Sequence, residues 1–357
     1  MLFEKLIANG ITTTPTASTK SLYGWGADTA GILGDGDSTL SSKSSPIQIG
    51  SRSWISVSIG ADHTLGIQSD SSLWGWGSSA YGQAGVNLGS FSSPVSIGTS
   101  WKVVDFGRGG ANPWGLGIQS DGSLWAWGNN GAGQLGDGTL VSKSSPVKIG
   151  SSSWSAVSAG FSHSLGITTT GQLYAWGTPA PALGILTSGA GGSRSSPVLV
   201  SGPVGTSWSK VAAGFSASAA ITTNGALYTW GGNTYGALGT TASVSFAVAA
   251  NPIPISATDS WVAVSVGYDH SLGIKGDGTL WSWGLNASGQ LGVLSTATQV
   301  SPVLVSGPAS TTWSKIAAGY SYSLAIDTNG RLWSWGANAS GQLGINKIGR
   351  ASCRERV

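Results

Sequence analysis

A five-residue segment, Leu-aromatic-x-Trp-Gly, recurs seven times along this chain of 357 residues. The copies begin at residues 22, 73, 124, 173, 227, 280 and 332, so neighbouring copies lie 49–54 residues apart. Between them recur a Gly-rich turn such as "NNGAGQLG" (129–136) and the segments "SSPVKIG" (144–150), "SWSAVSAG" (153–160) and "HSLGI" (163–167). A fixed period of this length indicates a repeat architecture in which each unit is one supersecondary structure.

Each repeat unit contains four short segments with the composition of β-strands. They are rich in Val, Ile, Leu and aromatic residues and are bounded by Gly, Asp, Asn or Ser. We name them, in chain order, the WG, SPV, SW and HSLGI strands. Sequences such as "SDG" (120–122) and "TNG" (223–225) join HSLGI to WG strands and predict tight hairpins. Four antiparallel strands per unit, repeated seven times, predict an all-β, seven-bladed β-propeller, with a linear solenoid as the second alternative.

The repeat units resemble those of the regulator of chromosome condensation family, whose blades carry "WGxNxxGQLG" and "GxxHSL" segments. The match is closest at "WGLNASGQLG" (283–292) and "GYDHSLGI" (267–274), and the resemblance covers residues 22–344. It implies a seven-bladed propeller over 22–344, preceded by a lead segment at 1–21. We expect a bacterial or phage member of the family.

Strand counting predicts a ring that is incomplete at the C-terminus. The first unit begins at its WG strand and the seventh ends after its own, which gives 25 strands where seven four-stranded blades need 28. An SPV strand is missing at the end, as are the SW and HSLGI strands of the first blade. The last ten residues, "IGRASCRERV" (348–357), back-translate in frame into a common sequencing-library adapter followed by a stop codon. We therefore interpret 345–357 as the end of a truncated chain, with 348–357 a translated adapter.

The sequence offers few residues for catalysis. Only 9% of the residues are charged, and the single cysteine, Cys353, lies in the adapter-like tail. His63, His163 and His270 share one repeat position on separate blades, so they cannot converge on a metal. Each is expected to make a local hydrogen bond that organises its turn. "GQLGDG" (133–138) lacks the Lys-Ser/Thr ending of a phosphate-binding loop. We expect no catalytic residues, no metal and no cofactor. The turn glutamines are expected to bind their own backbone: Gln134, Gln290 and Gln342.

Two departures from the repeat are the candidate binding sites. Of 18 tryptophans, only Trp114 falls outside a regular aromatic position, in a segment with a four-residue insertion that also brings Arg108 and Asn112. Irregular loops on rigid scaffolds often carry binding residues. The alternative is that Trp114 fills the pocket that His63 fills in its own unit. A second long connection, 240–255, is expected to expose Phe246.

These observations favour a non-catalytic, protein-binding or scaffold propeller whose connecting loops grip a macromolecular partner. The alternatives are a structural virion appendage or surface-display protein and, third, a guanine-nucleotide exchange regulator. Removing the tail's three arginines and one glutamate lowers the net charge from +3 to +1, so no nucleic acid is expected as a partner. No signal peptide or transmembrane segment is visible, and we expect neither membrane association nor a small-molecule cofactor. The compartment is open between cytoplasmic and virion-associated.

Overall fold

The fold was analysed in a computed structural model that describes residues 21–60, 62–86, 89–107, 113–178, 181–185, 193–240, 248–256, 259–307, 310–344 and 351–356. Within these ranges the chain is all-β, with 26 strands and two short 3₁₀ turns, Thr29–Gly31 and Pro181–Leu183. The strands form six four-stranded antiparallel sheets and one two-stranded sheet. The all-β propeller expected from the repeat is confirmed.

The two-stranded sheet comes first in the chain and contains β1 (Tyr23–Gly26) and β2 (Lys43–Gln48). The four-stranded sheets follow as blades 1 to 6. Blade 1 is β3 (Trp54–Ile59), β4 (His63–Gln68), β5 (Leu73–Ser78) and β6 (Ser90–Gly98). Blade 2 is β7 (Trp101–Phe106), β8 (Trp114–Gln119), β9 (Leu124–Gly128) and β10 (Lys143–Lys148). Blade 3 is β11 (Trp154–Ala159), β12 (His163–Thr168), β13 (Leu173–Gly177) and β14 (Arg194–Leu199).

The remaining blades repeat the same strand order. Blade 4 is β15 (Trp208–Ala213), β16 (Ala217–Thr222), β17 (Leu227–Gly232) and β18 (Val248–Pro254). Blade 5 is β19 (Trp261–Val266), β20 (His270–Lys275), β21 (Leu280–Gly284) and β22 (Gln299–Leu304). Blade 6 is β23 (Trp313–Ala318), β24 (Tyr322–Asp327), β25 (Leu332–Gly336) and β26 (Ala351–Arg356). Each blade therefore runs SW, HSLGI, WG, SPV from its first strand to its last.

The SW strands form the inner wall of the ring. β3 contacts β7, and the same contact repeats from β7 to β11, β15, β19 and β23, so successive SW strands face one another around a common axis. The SPV strands lie at the outer edge of each sheet. The hydrophobic core lies between neighbouring blades: Leu116 and Ile118 of blade 2, for example, pack with Trp154 and Trp176 of blade 3.

One hydrogen bond repeats at every junction around the ring. The tryptophan that directly precedes the glycine of each WG segment donates its indole N–H to a backbone carbonyl in the WG-to-SPV turn of the preceding sheet. The pairs are Trp25–Gln342 (3.1 Å), Trp76–Ile32 (2.9 Å), Trp127–Gln83 (2.9 Å), Trp176–Gln134 (2.8 Å), Trp230–Ala182 (2.9 Å), Trp283–Ala237 (2.8 Å) and Trp335–Gln290 (2.8 Å). We call this bond the tryptophan clasp. The Trp25–Gln342 clasp joins the last blade to the two-stranded sheet.

The clasp explains why a glycine closes six of the seven turns. At Gly136 the backbone has φ of +79°, and a Cβ there would lie 2.7 Å from the indole nitrogen of Trp176. A side chain would therefore be strained by the backbone and would also collide with the ring. The same combination recurs at Gly292 against Trp335 and at Gly344 against Trp25.

Two expectations about the ring require correction. The described residues contain six four-stranded blades, not seven, because the sheet of β1 and β2 has two strands. Blade 6 is not missing its SPV strand, since β26 forms within the adapter-like tail and pairs with β25. Its register matches that of blade 5: Gly336 opposes Ala351 as Gly284 opposes Gln299. Ladder hydrogen bonds use the backbone alone, so an open strand edge can pair with an extended segment of unrelated sequence.

Candidate functional site

The antiparallel topology sorts the connections onto two faces of the ring. SW-to-HSLGI and WG-to-SPV connections lie at one end of every sheet, which we call the upper face. The HSLGI-to-WG hairpins and the links between blades lie at the other end, the lower face. The connection from β7 to β8 and that from β17 to β18 both belong to the upper face.

Four aromatic rings stack in a row across the upper face of blades 3 to 6. Phe161 and Phe215 have ring centroids 4.3 Å apart, Phe215 and Tyr268 are 4.0 Å apart, and Tyr268 and Tyr320 are 4.1 Å apart. The first three rings are partly exposed and Tyr320 is 47% exposed. We call these four residues the aromatic arc. Each lies at the inner end of its blade, directly after the last residues of the SW strand.

The backbone of the arc is tied from blade to blade. The amide of Phe161 donates to the carbonyl of Gly214 at 3.0 Å, that of Phe215 to Gly267 at 3.2 Å, and that of Tyr268 to Gly319 at 3.2 Å. The first three arc residues therefore each bond to the glycine that precedes the next one. This spacing holds the rings at stacking distance on a scaffold of fixed strands, so the arc is preorganised.

A carboxyl group with a raised pKa lies beside the arc. Asp269 follows Tyr268 in the same turn and is partly exposed, and burial raises the pKa of its carboxyl to about 6. Burial, followed by the hydrogen bond with Tyr320, also raises the pKa of the Tyr268 hydroxyl. The phenol is therefore neutral at physiological pH, and Asp269 is the titrating group next to the arc.

The equivalent aspartate in blade 1 has a different environment. Asp62 lies 2.8 Å from Nδ1 of His63, whose ring is fully buried and packs 3.7 Å from the ring of Phe106. Burial lowers the pKa of His63, so the imidazole is neutral at pH 7 and donates Nδ1–H to the carboxylate. Burial is the largest single influence and would raise the pKa of Asp62, but the contacts with His63 and the hydrogen bond with Ser78 together outweigh it and the pKa is lowered.

The other two histidines link neighbouring blades. Nε2 of His163 lies 2.9 Å from the hydroxyl of Ser218 in blade 4, and Nε2 of His270 lies 2.9 Å from the hydroxyl of Ser323 in blade 6. Both rings are buried. The hydrogen bonds were expected within the local turn, whereas these two reach the next blade; they are structural contacts between blades. Among the described residues, no group of three or more His, Cys, Asp or Glu is placed to hold a metal ion.

A buried carboxylate joins the first three blades near the axis. Asp105 on β7 is 3% exposed and accepts hydrogen bonds from the hydroxyls of Ser58 (2.9 Å) and Ser158 (3.0 Å). It also accepts from the amides of Phe106 (2.9 Å) and Ala159 (3.0 Å). In blades 5 and 6 the same position is filled by smaller side chains, and the hydroxyl of Ser265 accepts one amide, from Ala318, at 3.0 Å.

The glutamines of the Gly-rich turns act as expected. Oε1 of Gln134 accepts the amide of Ala132 at 2.8 Å, and Gln290 and Gln342 do the same for Ser288 and Ser340 at 2.9 Å. These side chains stabilise their own turns, which confirms the structural interpretation of "GQLG".

Comparison with known sequences places the chain in a family. A sequence model of the RCC1-like domain matches residues 116–356, and models of the regulator of chromosome condensation (RCC1) repeat match 21–67 and 54–83. The chain belongs to the RCC1-like repeat family. Among similar RCC1-like proteins, the Arabidopsis thaliana ultraviolet-B receptor UVR8 is 31% identical over 90% of this chain and 74% of its own length. The mitochondrial RCC1 domain-containing protein RUG3 of the same plant is 27% identical over 92% and 80%.

Solved structures of other proteins share the fold. Human WBSCR16 superposes with a TM-score of 0.82, at 21% identity, over 95% of this chain and 94% of the other. Prp20p of Saccharomyces cerevisiae gives a TM-score of 0.81, at 22% identity, over 95% and 86%. At these identities the likeness establishes the fold alone. The similar sequences named here are from a plant, so they give no support to the expected bacterial or phage source.

The sequence-predicted binding residues of this RCC1-like chain fall in different places. Arg108, Asn112 and Phe246 lie outside the described residues. Trp114 begins β8 and is fully buried, opposite Gly128, as His63 lies opposite Gly77 in blade 1. Its ring therefore fills the position of His63, and it is not exposed to a partner in this conformation. In the described part of the chain, no helix is long and apolar enough to cross a membrane.

The aromatic arc was not among the binding residues predicted from the sequence. The signal was present as Gly-Phe or Gly-Tyr pairs at 160–161, 214–215, 267–268 and 319–320, spaced by one repeat each. Each pair alone looks like an ordinary turn. The structure brings them together because the inner ends of adjacent blades converge near the axis.

Proposed function

We propose that this protein is a non-catalytic, protein-binding propeller and that the upper face of blades 3 to 6 contacts the partner. The observation that carries the proposal is the aromatic arc, in which four stacked and partly exposed rings are fixed by inter-blade hydrogen bonds. Rigid aromatic side chains are the residues that most often supply binding energy at protein interfaces. They need little ordering on binding, because their rings already contact one another.

The chemistry next to the arc favours a protein over a nucleic acid. Asp269 places a carboxyl beside the rings, and the charge of the whole chain is only +3. Affinity for nucleic acid depends on cations that neutralise phosphates. The structure of Prp20p is described together with its binding to Gsp1p and histones, and yeast RCC1 is described bound to Kap60, so protein partners have precedent in this family.

The loop predictions remain part of the proposal. The connections that contain Arg108, Asn112 and Phe246 join strands whose ends lie on the upper face, so these residues extend the same surface in our proposal. Trp114 takes another role in it: its buried ring anchors the end of the 108–112 connection to blade 2.

A cross-linking pull-down with the full chain tests the arc. Wild type and a Phe215→Ala/Tyr320→Ala double variant would be compared for the proteins they retain from the source cells. The matched control is Tyr174→Ala, which also removes a partly buried aromatic ring but lies toward the lower face, where it packs 5.5 Å from Trp154. Thermal melting would verify that all three proteins are folded.

We expect a partner retained by wild type and by Tyr174→Ala to be lost from the double variant by at least about tenfold, which corresponds to about 1.4 kcal/mol. Full retention by a folded double variant would rule out the arc as the contact surface. Acceleration of nucleotide release from a small GTPase, measured in parallel, would favour the exchange-regulator alternative.

A further inference from the structure

A cavity lies where the ring passes from blade 6 to blade 1. Its volume is about 410 Å³, and β1, β3 and β24 provide part of its wall through Trp25, Val57, Ile59 and Leu324. In every blade the WG strand pairs with an HSLGI strand on its inner side, whereas β1 pairs with β2 alone among the described strands. The cavity therefore occupies the place of two inner strands.

The apolar residues around the cavity are less covered than their counterparts elsewhere. Leu332 is partly exposed, whereas the equivalent Leu280 is 1% exposed. Ile59 is partly exposed where Val266 is 1% exposed. Trp25 is partly exposed although Trp283, which makes the same clasp, is fully buried. All three of these less buried residues lie around the cavity. Exposed apolar surface of this kind is stabilised when a further apolar element covers it.

Spacing in the sequence identifies a matching segment. In blades 1, 3, 4, 5 and 6 the tryptophan that begins the SW strand lies 19 residues before the leucine that begins the WG strand, as Trp208 does before Leu227. Phe3 lies 19 residues before Leu22. The residues after it, Lys-Leu-Ile-Ala at 5–8, correspond to Lys-Val-Ala-Ala at 210–213 and Lys-Ile-Ala-Ala at 315–318.

The N-terminal segment also has a hydroxyl residue at a position where five blades use a hydroxyl. In five blades the second residue of the HSLGI strand donates to the same carbonyl that receives the tryptophan clasp. The bonds are Thr64–Ile32 (2.9 Å), Ser164–Gln134 (2.6 Å), Ser218–Ala182 (2.7 Å), Ser271–Ala237 (3.0 Å) and Ser323–Gln290 (2.7 Å). Thr13 occupies this position by the same spacing, and the carbonyl of Gln342 already accepts the Trp25 clasp.

We propose that the cavity is the docking site of residues 3–17 of the same chain, which add to β1 as the two inner strands of a seventh blade. The segment supplies an aromatic residue, Phe3, where the other blades have tryptophan. In this register Leu6 and Ala8 correspond to Val211 and Ala213 of blade 4. The ring is then closed from the N-terminal side, independently of any residues beyond 357.

Pro15 allows a specific test of the proposal. It corresponds to Gly166 and Ala220 in the central HSLGI strands, where a proline removes a ladder hydrogen bond. If the segment docks as proposed, Pro15→Ala restores that bond and raises the melting temperature by at least about 2 °C. If the segment is outside the sheet, the substitution leaves the melting temperature unchanged. Pro46→Ala on the outer strand β2 is the matched control and gives no increase, because prolines are tolerated on edge strands.

Hydrogen exchange of the full wild-type chain provides the direct test. We expect amides of residues 3–17 to exchange at least about 100-fold more slowly than an unstructured peptide, approaching residues 208–222 of blade 4. Leu6→Asp should abolish the protection of this segment while blade 4 stays protected. Exchange of 3–17 at the unprotected rate would overturn the proposal. Protection that appears only in a dimer, resolved by light scattering, would overturn it too, since a second copy would then fill the cavity.

Discussion

The two halves of the ring hold their inner ends together by different chemistry. In blades 1 to 3 the buried carboxylate of Asp105 collects four hydrogen bonds, and Asp62 binds His63. In blades 3 to 6 the inner ends are joined by single hydroxyl–amide bonds and by the contacting rings of the aromatic arc. The repeat therefore fixes where a contact is made but not what makes it. The carboxylate of Asp105 is buried, whereas each ring of the aromatic arc is at least partly exposed to solvent.

The largest expected difference between the halves concerns the inner contacts themselves. Asp105→Ala leaves two hydroxyls and the Ala159 amide without this acceptor, while the Phe106 amide keeps its bond to the Ser58 hydroxyl at 3.1 Å. The free energy of unfolding should therefore fall by about 3–5 kcal/mol. Ser265→Ala removes one bond and should cost about 1 kcal/mol. Urea denaturation followed by tryptophan fluorescence measures both. Equal losses would contradict the asymmetry between the halves.

The next effect tests whether the arc also stabilises the fold. Phe215 is partly exposed and stacks with two neighbours, Phe161 and Tyr268. Phe215→Ala should therefore cost about 1–2 kcal/mol, more than a solitary surface ring but less than a buried one. Phe215→Tyr keeps the stacking and serves as the control, with no measurable loss. If Phe215→Ala left the free energy of unfolding unchanged, the arc would not contribute to the stability of the fold.

A smaller effect should differ in sign between the halves. Asp269 has its pKa raised to about 6, so its favourable contribution is complete below the unfolded value of 3.8 and disappears as the pH rises through 6. Asp269→Asn should therefore raise the melting temperature at pH 7.5 by a few °C, roughly 1–3, and have little effect at pH 4.

Asp62 should respond in the opposite direction, because its pKa is lowered and its contribution is present above 3.8 and lost as the pH falls. Asp62→Asn should lower the melting temperature at pH 7.5. Melting curves of both variants between pH 4 and 8 provide the comparison. If both variants shifted the melting temperature in the same direction at pH 7.5, the turns of Asp62 and Asp269 would not differ in environment as described.

The smallest effect should be equal in the two halves. Gln83 in blade 1 and Gln290 in blade 5 each accept an amide within their own turn, at 2.8 and 2.9 Å. Gln83→Ala and Gln290→Ala should each cost about 0.5–1.5 kcal/mol in urea denaturation. A difference larger than about 1 kcal/mol would indicate that the turns are not independent of the inner contacts.

Much of the fold could be predicted from the repeat, because strand position and order follow from period and turn chemistry. The 25 strands counted in the sequence are all present, and only β26 was not foreseen, since Ala351–Arg356 has no SPV pattern and its pairing depends on the backbone of β25. The two-stranded sheet was expected as an unfinished blade. The tryptophan clasp, however, could not be predicted. It joins residues of two neighbouring sheets, and the spacing within one repeat unit does not show which turn lies against which tryptophan.

The candidate site was much less predictable. Trp114 was predicted to bind a partner because it departs from the repeat pattern. Its ring is buried, however, and packs at the position that His63 occupies in blade 1. Asp105 in "WKVVDF" looks like an ordinary strand residue until three blades converge on it. The arc residues keep the pattern and were overlooked for that reason. Function in a repeat protein can arise from regular positions, because the ring brings equivalent residues side by side.

The tryptophan clasp makes every junction of the ring heterologous: one blade offers an indole and the next receives it with a turn carbonyl. Contacts of this head-to-tail kind either close on themselves or continue without limit. The Trp25–Gln342 bond joins the last blade to the first sheet, so the series of clasps returns to its start within one molecule. Weakening this one junction would therefore expose a matched pair of surfaces and convert a self-contained ring into a unit competent for filament growth.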